Sequence, residues 1–185
     1  GAEVLICYFH RGRGAQEYST EPDNPDIELM QFAVENGADI IFAGHPHMLQ
    51  PVDVISTEVS YPDGVTGEDG KTTWTKTVPV YYSMGNFISN QRYETLAYYN
   101  GQLYLGDRAT LTEQGIIANV ELTYIRETGE IIYNDISAIP TWVEKYNNGA
   151  RDVFQIVPLV DDLDSMACLQ ASGHLQRAKD TLAAV

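Results

Sequence analysis

The stretch NPDIELMQFAVENGADIIFAGHPH, residues 24–47, decides the fold. Its first part is typical of a helix, because Asn24 can cap the amino end, Pro25 suits the first turn, and Gly37 can end the helix. Its second part, residues 39–43, is a short apolar run of the kind that forms a buried strand. A helix followed directly by a buried strand indicates an α/β protein.

The strand that precedes this helix is predicted over residues 4–9, another continuous apolar run that we expect to be buried on both faces. With the helix over residues 25–36 and the strand over 39–43, it forms a β-α-β unit with parallel strands and a right-handed crossover. Both strands then end at the same edge of the sheet, where open α/β sheets bind ligands. The predicted apolar face of the helix comprises Ile27, Met30, Phe32, Ala33 and Val34.

Three of the four histidines follow these two strand ends. His10 follows the first strand, and His45 and His47 follow the second, with Pro46 stiffening the turn between them. Imidazole nitrogen is a preferred ligand of zinc, iron and nickel. We therefore expect the three rings to lie within about 10 Å of one another and to share a metal or substrate site. The alternative is a strand-ending turn that merely carries polar side chains.

The rest of the chain is predicted to be less regular. Residues 56–77 form a loop or hairpin, and a third strand covers residues 78–83. An antiparallel hairpin with one wet face covers residues 116–139, and the tail from residue 162 is helical but weakened at Gly173.

Two further residue types are interpreted as structural. His174, in the helical tail, is expected at the surface, away from other candidate residues. Aromatic rings can stack on sugars, but tyrosine at half-buried strand positions is more often structural. This interpretation covers Tyr81, Tyr82, Tyr93, Tyr98, Tyr99 and Tyr104.

Composition excludes several classes of protein. The 185 residues carry a formal net charge of −15, which argues against nucleic acid or an anionic membrane as partner. No apolar run approaches the length of a membrane span. Because the chain enters an apolar strand almost at once, we expect it to be a fragment whose upstream part is missing.

Three segments carry a family resemblance. They are His10-x-Gly12 with Glu17-Tyr18, the run NGADIIFAGHPHMLQP at residues 36–51, and YSMGNF at residues 82–87. In order and spacing they resemble the motifs H-W-G-x-E-Y, G-A-D-x-x-x-G-x-H-P-H-x-x-Q-P and Y-S-L-G-N-F. These motifs are those of the bacterial CapA-type capsule and poly-γ-glutamate synthesis family, whose fold is that of the calcineurin-like metallophosphoesterases.

The resemblance implies the C-terminal half of a metallophosphoesterase-like α-β-β-α sandwich, with a mainly parallel sheet and an antiparallel hairpin. Residues 1–140 would be the partial domain, and residues 141–185 a C-terminal extension ending in a helix. It also implies two divalent metal ions (Mn, Zn or Fe), with His47 facing one, His45 and His10 facing the other. These three histidines would be the catalytic and metal-binding residues of a reaction in which metal-activated water attacks phosphorus.

The resemblance also implies that Asn86 lines the same pocket as a polar substrate-binding group. Arg11, Arg13 and Glu17 follow His10 in the sequence and are further candidates for substrate binding, the arginines by contact with a phosphate or a polyglutamate carboxylate. Arg11 replaces the tryptophan of the family motif, and Arg13 lies in a lengthened loop, so the alternative for both is a solvated loop charge. The family's upstream G-D and N-N-H motifs, which resemble metal ligands, are not in this sequence. Metal binding by this chain alone is therefore expected to be weak or absent.

Three functions are compatible with this pattern: a phosphoesterase-like module of capsule or polyglutamate assembly, a non-catalytic component that binds a polymer or partner, and an inactive half of a larger protein. Expected partners are the upstream half of the same protein or a second subunit, and an anionic polymer or phosphoester substrate. The expected location is the cell envelope, outside the cytoplasm, with a membrane anchor in the missing N-terminal segment.

Overall fold

The β-α-β unit predicted from the sequence is confirmed. In the computed structural model, which describes residues 3–12, 16–160 and 162–184, strands β1 (Ile6–His10) and β2 (Ile40–Gly44) are parallel neighbours connected through helix α1 (Asn24–Glu35). Their register aligns His10 with Gly44. Both strands therefore end at one edge of the sheet, as expected.

The sheet continues with a long hairpin of β3 (Val52–Ser60) and β4 (Thr73–Tyr81), in the strand order β1-β2-β4-β3. β4 is parallel to β2 and antiparallel to β3, so the sheet is mainly parallel. The third strand begins at residue 73 rather than at the predicted residue 78. Residues 73–77 alternate threonine with tryptophan and lysine, and such side chains favour a half-exposed strand over a loop.

Helix α1 begins with a cap that differs from the prediction. Asp23, not Asn24, is the N-cap, because its side chain accepts a hydrogen bond of 3.0 Å from the backbone N–H of Asp26. An aspartate at this position satisfies a backbone donor and complements the positive end of the helix.

The buried face of α1 is narrower than predicted. Met30 and Val34 are fully buried in a core that includes Ile41 and Val80, whereas Ile27 and Phe32 are exposed. Phe32 follows Met30 by two residues, which places it on the opposite side of a helix with 3.6 residues per turn.

Strand β1 is buried on one face only, so the prediction of burial on both faces is wrong. Cys7 and Phe9 pack against the core below α1. Ile6 and Tyr8, on the other face, are 57% and 62% exposed. β1 lies at the edge of the sheet, where fewer neighbouring elements can cover a strand.

The predicted hairpin in the second half of the chain is confirmed and extends into a three-stranded antiparallel sheet. Its strands are β7 (Gln114–Tyr124), β8 (Ile131–Asn147) and β9 (Asp152–Pro158). Trp142 lies at the centre of the core between this sheet and the C-terminal helices. β8 runs without interruption through residue 140, where the sequence predicts a domain boundary, and that division stays a prediction.

Short elements complete the chain. Between β4 and β7 lie helix α2 (Tyr93–Leu96), the strands β5 (Tyr98–Tyr99) and β6 (Gln102–Leu103), and a 3₁₀ helix (Gly106–Glu113). After β9 come a 3₁₀ turn (Leu163–Ser165), helix α3 (Ala167–Ser172) and helix α4 (Leu175–Ala184). The tail is helical as predicted, and Gly173 ends α3 with a φ of +78°.

The two sheets meet where two glycines bring backbones together. Gly85 and Gly115 form an isolated antiparallel bridge, and the backbone N–H of Asn86 donates to the carbonyl of Gln114 (3.0 Å). A Cβ added at Gly85 would lie 2.5 Å from that carbonyl oxygen, and Gly85 has a φ of +68°. Only glycine therefore allows this close approach.

A closed ring of two arginines and two glutamates joins α2, the 3₁₀ helix and α4. Arg92 contacts Glu94 (2.6 Å) and Glu113 (3.1 Å), and Arg177 contacts the same two carboxylates at 2.6 and 3.3 Å. Glu113 is fully buried. Burial raises the pKa of Glu113 to about 7, although both guanidinium groups act in the opposite direction.

We predict that Glu113 lowers the free energy of unfolding as pH rises. The folded state keeps its proton up to pH of about 7, while the unfolded carboxyl releases it near pH 4.3. The unfolded state thus binds fewer protons between these values, and wild-type stability falls across that window. Relative to Glu113→Gln, the wild-type free energy of unfolding should fall by about 2 to 3 kcal/mol. Urea unfolding at several pH values between 4.5 and 8 measures this.

The matched control is Asp152→Asn, on β9 and outside this ring. The side chains of Asn147 and Lys145 hold the pKa of Asp152 below its usual range. Any contribution of Asp152 is therefore lost only as pH falls below about 4, and the difference from wild type should be constant between pH 5 and 8. A constant difference for Glu113→Gln as well would show that Glu113 is ionised throughout.

Candidate functional site

His10 and His45 form a ring pair at the edge where β1 and β2 end. Their ring centroids are 5.4 Å apart and the rings are almost perpendicular, at 87°. This pair satisfies the predicted separation of less than about 10 Å. The register of β1 and β2 produces the contact, because His10 lies opposite Gly44 and His45 is the next residue.

The backbone of His45 adopts a conformation that residues with a side chain rarely take, with a φ of +141°. Its Nε2 atom is buried and has no hydrogen-bond partner within the described ranges. Strained residues and unpaired buried polar atoms both cost free energy, and both occur preferentially at functional sites. The fold therefore holds a nitrogen lone pair or N–H of His45 ready for a further group.

His47 points to different neighbours, and its orientation is fixed by Asn86. The side-chain amide of Asn86 donates from Nδ2 to the carbonyl of Thr112 (2.7 Å), so its Oδ1 faces Nδ1 of His47 at 2.7 Å. An amide oxygen can only accept, so Nδ1 of His47 carries a proton. In the neutral ring, Nε2 is consequently the acceptor.

Glu17 lies beside this acceptor nitrogen. Its backbone carbonyl accepts from the N–H of His47 (2.7 Å), and its Oε1 lies 3.8 Å from Nε2 of His47. The same oxygen accepts hydrogen bonds of 3.3 Å from Nε2 of Gln91 and from the hydroxyl of Tyr18. Two acceptors that face each other leave a position suited to a proton, a cation or a donor group between them.

Tyr18 stays protonated in this arrangement. Burial, followed by the neighbouring carboxylate of Glu17, raises the pKa of Tyr18 to about 12. Its hydroxyl is therefore a hydrogen-bond donor at any physiological pH. Sequence reasoning identified Glu17 but gave Gln91 no role and used Tyr18 only as part of a motif. The contact of Gln91 with Glu17 and the ring contacts of Tyr18 with His47 and Tyr104 arise from tertiary packing, which leaves no local sequence pattern.

Of the two arginines predicted to bind substrate, the structure describes Arg11. Nε of Arg11 donates to Asp26 at 2.6 Å, which ties the loop after β1 to the amino end of α1. Arg13 lies outside the described residues. A substrate contact by either arginine stays a prediction.

These residues do not by themselves fit the two-metal centre that the family resemblance implies. Two imidazoles that bind one ion have ring centres about 5 Å apart, which the pair of His10 and His45 matches. However, within residues 3–12, 16–160 and 162–184 no three histidine, cysteine or acidic side chains come together as metal ligands. The described residues supply one pair of nitrogens, and separately His47 with Glu17.

His174 is not the surface histidine that the sequence suggested. Its side chain is only 15% exposed, and Nδ1 lies 3.0 Å from Oε1 of Glu144. Glu144 is fully buried and also accepts from the indole N–H of Trp142 (2.9 Å). The prediction failed because its partner lies 30 residues away on another element.

The structural interpretation of the tyrosines holds for only part of the group. Tyr81 and Tyr82 are buried in the first half of the chain. The exposed members are Tyr98, Tyr99 and Tyr104. Tyr98, Tyr99 and Tyr104 are exposed because they lie on the short β5–β6 hairpin or directly after it. Tyr81, in contrast, ends the core strand β4, and Tyr82 follows it.

Comparison with known proteins supports the family resemblance that the three sequence motifs indicate. The family described as "Bacterial capsule synthesis protein PGA_cap" matches residues 1–91. Residues 1–91, just under half of the chain, are therefore similar to the CapA-type capsule synthesis family, as the motifs suggested. All three histidines of the strand edge, with Glu17, Asn86 and Gln91, lie inside the matched segment.

Two curated relatives of this CapA-type family align with the same share of the chain. "PGA biosynthesis protein CapA" of Bacillus subtilis (strain 168) is 29% identical over 90 residues, and "Capsule biosynthesis protein CapA" of Bacillus anthracis is 31% identical over 90 residues. The alignments cover 49% of this chain in both cases, but only 18% and 16% of the relatives. No solved structure matches the chain significantly.

We predict that Gly12→Ala displaces the His45 ring. A Cβ at this position would overlap Cδ2 of His45, and a ring at the edge of the sheet can turn away at small cost. The ring-current shifts that His10 and His45 impose on each other should be lost, as measured by proton NMR of the two imidazoles. Gly44→Ala is the control, because within the described part of the chain its Cβ would meet only the Tyr8 hydroxyl, at an ordinary contact distance of 3.7 Å. Unchanged imidazole shifts in Gly12→Ala would contradict the packing.

A second prediction concerns the tautomer of His47. In wild type, ¹⁵N NMR should show the proton of the neutral ring on Nδ1, held by Asn86. Asn86→Leu removes the acceptor, so both tautomers should be populated and stability should fall by about 1 to 3 kcal/mol. Asn86→Asp retains an acceptor and should keep the proton on Nδ1. Finding the wild-type proton on Nε2 would refute the assignment.

Proposed function

We propose that this chain is part of a cell-envelope protein of capsule or poly-γ-glutamate biosynthesis, and that its strand edge is one half of a phosphoesterase-type site. The observation that carries the proposal is the pair of His10 and His45, in which the buried Nε2 of His45 has no hydrogen-bond partner among the described residues and the backbone of His45 is strained. Ligands from outside the described residues would complete the site. The printed names of the two Bacillus relatives support the biosynthetic role.

The chain's own residues contribute orientation and proton acceptance. Asn86 holds His47 so that Nε2 is free to accept, and Glu17 places a carboxylate beside it. Together they can bind a donor group of a substrate or take up a proton. His10 and His45 present their rings at the neighbouring strand end.

A second candidate function is non-catalytic binding of a polymer or a protein partner. The exposed rings of Tyr99 and Tyr104 favour it, because solvent-facing aromatic groups often mark binding surfaces. Metal analysis separates the candidates, since a catalytic site of this type holds two ions per chain and a binding module needs none.

Location in the cell envelope belongs to the same proposal. No helix in the described part of the chain is long and apolar enough to cross a membrane. The upstream half of the same protein, or a second subunit, is the proposed source of the remaining ligands.

We expect the isolated 185-residue chain to show no hydrolysis of bis(p-nitrophenyl) phosphate above background with added manganese or zinc. A longer chain that carries the upstream half should be active, because it supplies charge-balancing carboxylates. His47→Ala in the longer chain should lower turnover by about 100-fold or more. Asp53→Asn is the control, since Asp53 is exposed on β3 and, among the described residues, its carboxylate accepts only from the adjacent Val54 N–H.

Two results would overturn parts of this proposal. Robust turnover by the short chain that is lost in His47→Ala would show that the chain completes its own site. A longer chain that folds, binds no metal and remains inactive would favour the binding function instead.

A further inference from the structure

A row of aromatic rings leads away from the candidate site. The ring of His47 is followed by those of Tyr18, Tyr104 and Tyr99, with successive centroid separations of 6.2, 6.0 and 6.3 Å. We call these four residues the aromatic row. It begins at the imidazole beside Glu17 and ends on the β5–β6 hairpin.

The outer part of the aromatic row is open to solvent. Tyr99 is 67% exposed and Tyr104 is 53% exposed, although both are large aromatic residues. The backbone of Tyr104 is held by its N–H, which donates to the carbonyl of Ala97 (2.9 Å), and that of Tyr99 by its pairing with Gln102 in the hairpin. Arg108 donates to the backbone carbonyl of Tyr18 at 3.0 Å. Exposed aromatic side chains in a continuous series are typical of a surface that binds a ligand.

Gln91 adds an independent sign of a ligand at the inner end of the row. Its Nε2 donates to the carboxylate of Glu17, which fixes the orientation of the amide. Its Oε1 is consequently directed elsewhere, is buried, and has no partner in the described portion of the chain. A buried acceptor without a donor is costly. A hydroxyl or amide N–H of a bound molecule would satisfy it.

Charge narrows the chemistry of that molecule. The chain has a net charge of −15, and the carboxylate of Glu17 lies where the row begins. Away from the metal ions of the proposed half-site, the tyrosines of the row carry no positive charge that offsets this negative charge, which favours an uncharged ligand over a polyanion there. The planes of successive rings, from His47 to Tyr99, are inclined to each other by 34°, 88° and 54°. A ligand that contacts all of these rings must therefore follow a twisted path. Pyranose rings have apolar faces for stacking, hydroxyls for acceptors, and flexible linkages.

We propose that the aromatic row and Gln91 bind an uncharged oligosaccharide chain, with Gln91 accepting a hydrogen bond from a sugar hydroxyl next to His47. This inference adds a ligand class to the proposed function. It rests on that function only for the position of the reacting site. Binding can be measured without hydrolysis, so an inactive protein does not affect the test.

The test is isothermal titration of the 185-residue chain with three uncharged hexasaccharides, made of α-1,4-linked glucose, β-1,4-linked glucose and β-1,4-linked N-acetylglucosamine. At least one should bind and shift the ring signals of Tyr99 and Tyr104 in NMR spectra. Tyr104→Ala should weaken binding by about threefold to tenfold. Gln91→Leu should weaken it by about tenfold, because the acceptor is lost.

Tyr98→Ala is the matched control, since Tyr98 is an exposed tyrosine on the same hairpin but outside the aromatic row. It should bind as wild type does. The thermal unfolding midpoint of each variant shows that it is folded. Failure of all three saccharides to bind, equal losses in Tyr98→Ala and Tyr104→Ala, or preference for a γ-linked glutamate hexamer would each overturn the proposal.

Discussion

The parallel pairing of β1 with β2 is the constraint on which the site depends. Backbone hydrogen bonds in a parallel ladder fix the register, and here they place His10 opposite Gly44. A shift by one residue would turn His10 to the other face and separate it from His45. The strained backbone of His45 is tolerated because the strand before it and Pro46 after it hold the turn.

Residues from the second half of the chain also hold this edge of the sheet in place. Asn86 reaches His47 with one end of its amide and the carbonyl of Thr112 with the other. The close approach of Gly85 and Gly115 makes that contact possible, since side chains at either position would keep the sheets apart. The histidine site is therefore a product of both sheets, although its histidines all belong to the first.

Local patterns in the sequence were sufficient for the β-α-β unit and for the meeting of His10 with His45. Apolar runs and helix-ending glycines act over a few residues, and a parallel crossover has one common hand. The exposure of Ile6 and Tyr8 could not be predicted, because it depends on the position of β1 in the sheet order. The partners of His174 and Gln91 could not be predicted either, because they come from elements that are distant in the sequence.

The ring of two arginines and two glutamates connects the C-terminal helix to the site through a short series of contacts. Arg177 of α4 contacts Glu113, and the residue before Glu113 is Thr112, whose carbonyl accepts from Asn86. Asn86 in turn orients His47. The packing of the last helix therefore supports the residue that sets the direction of a histidine in the first half of the chain.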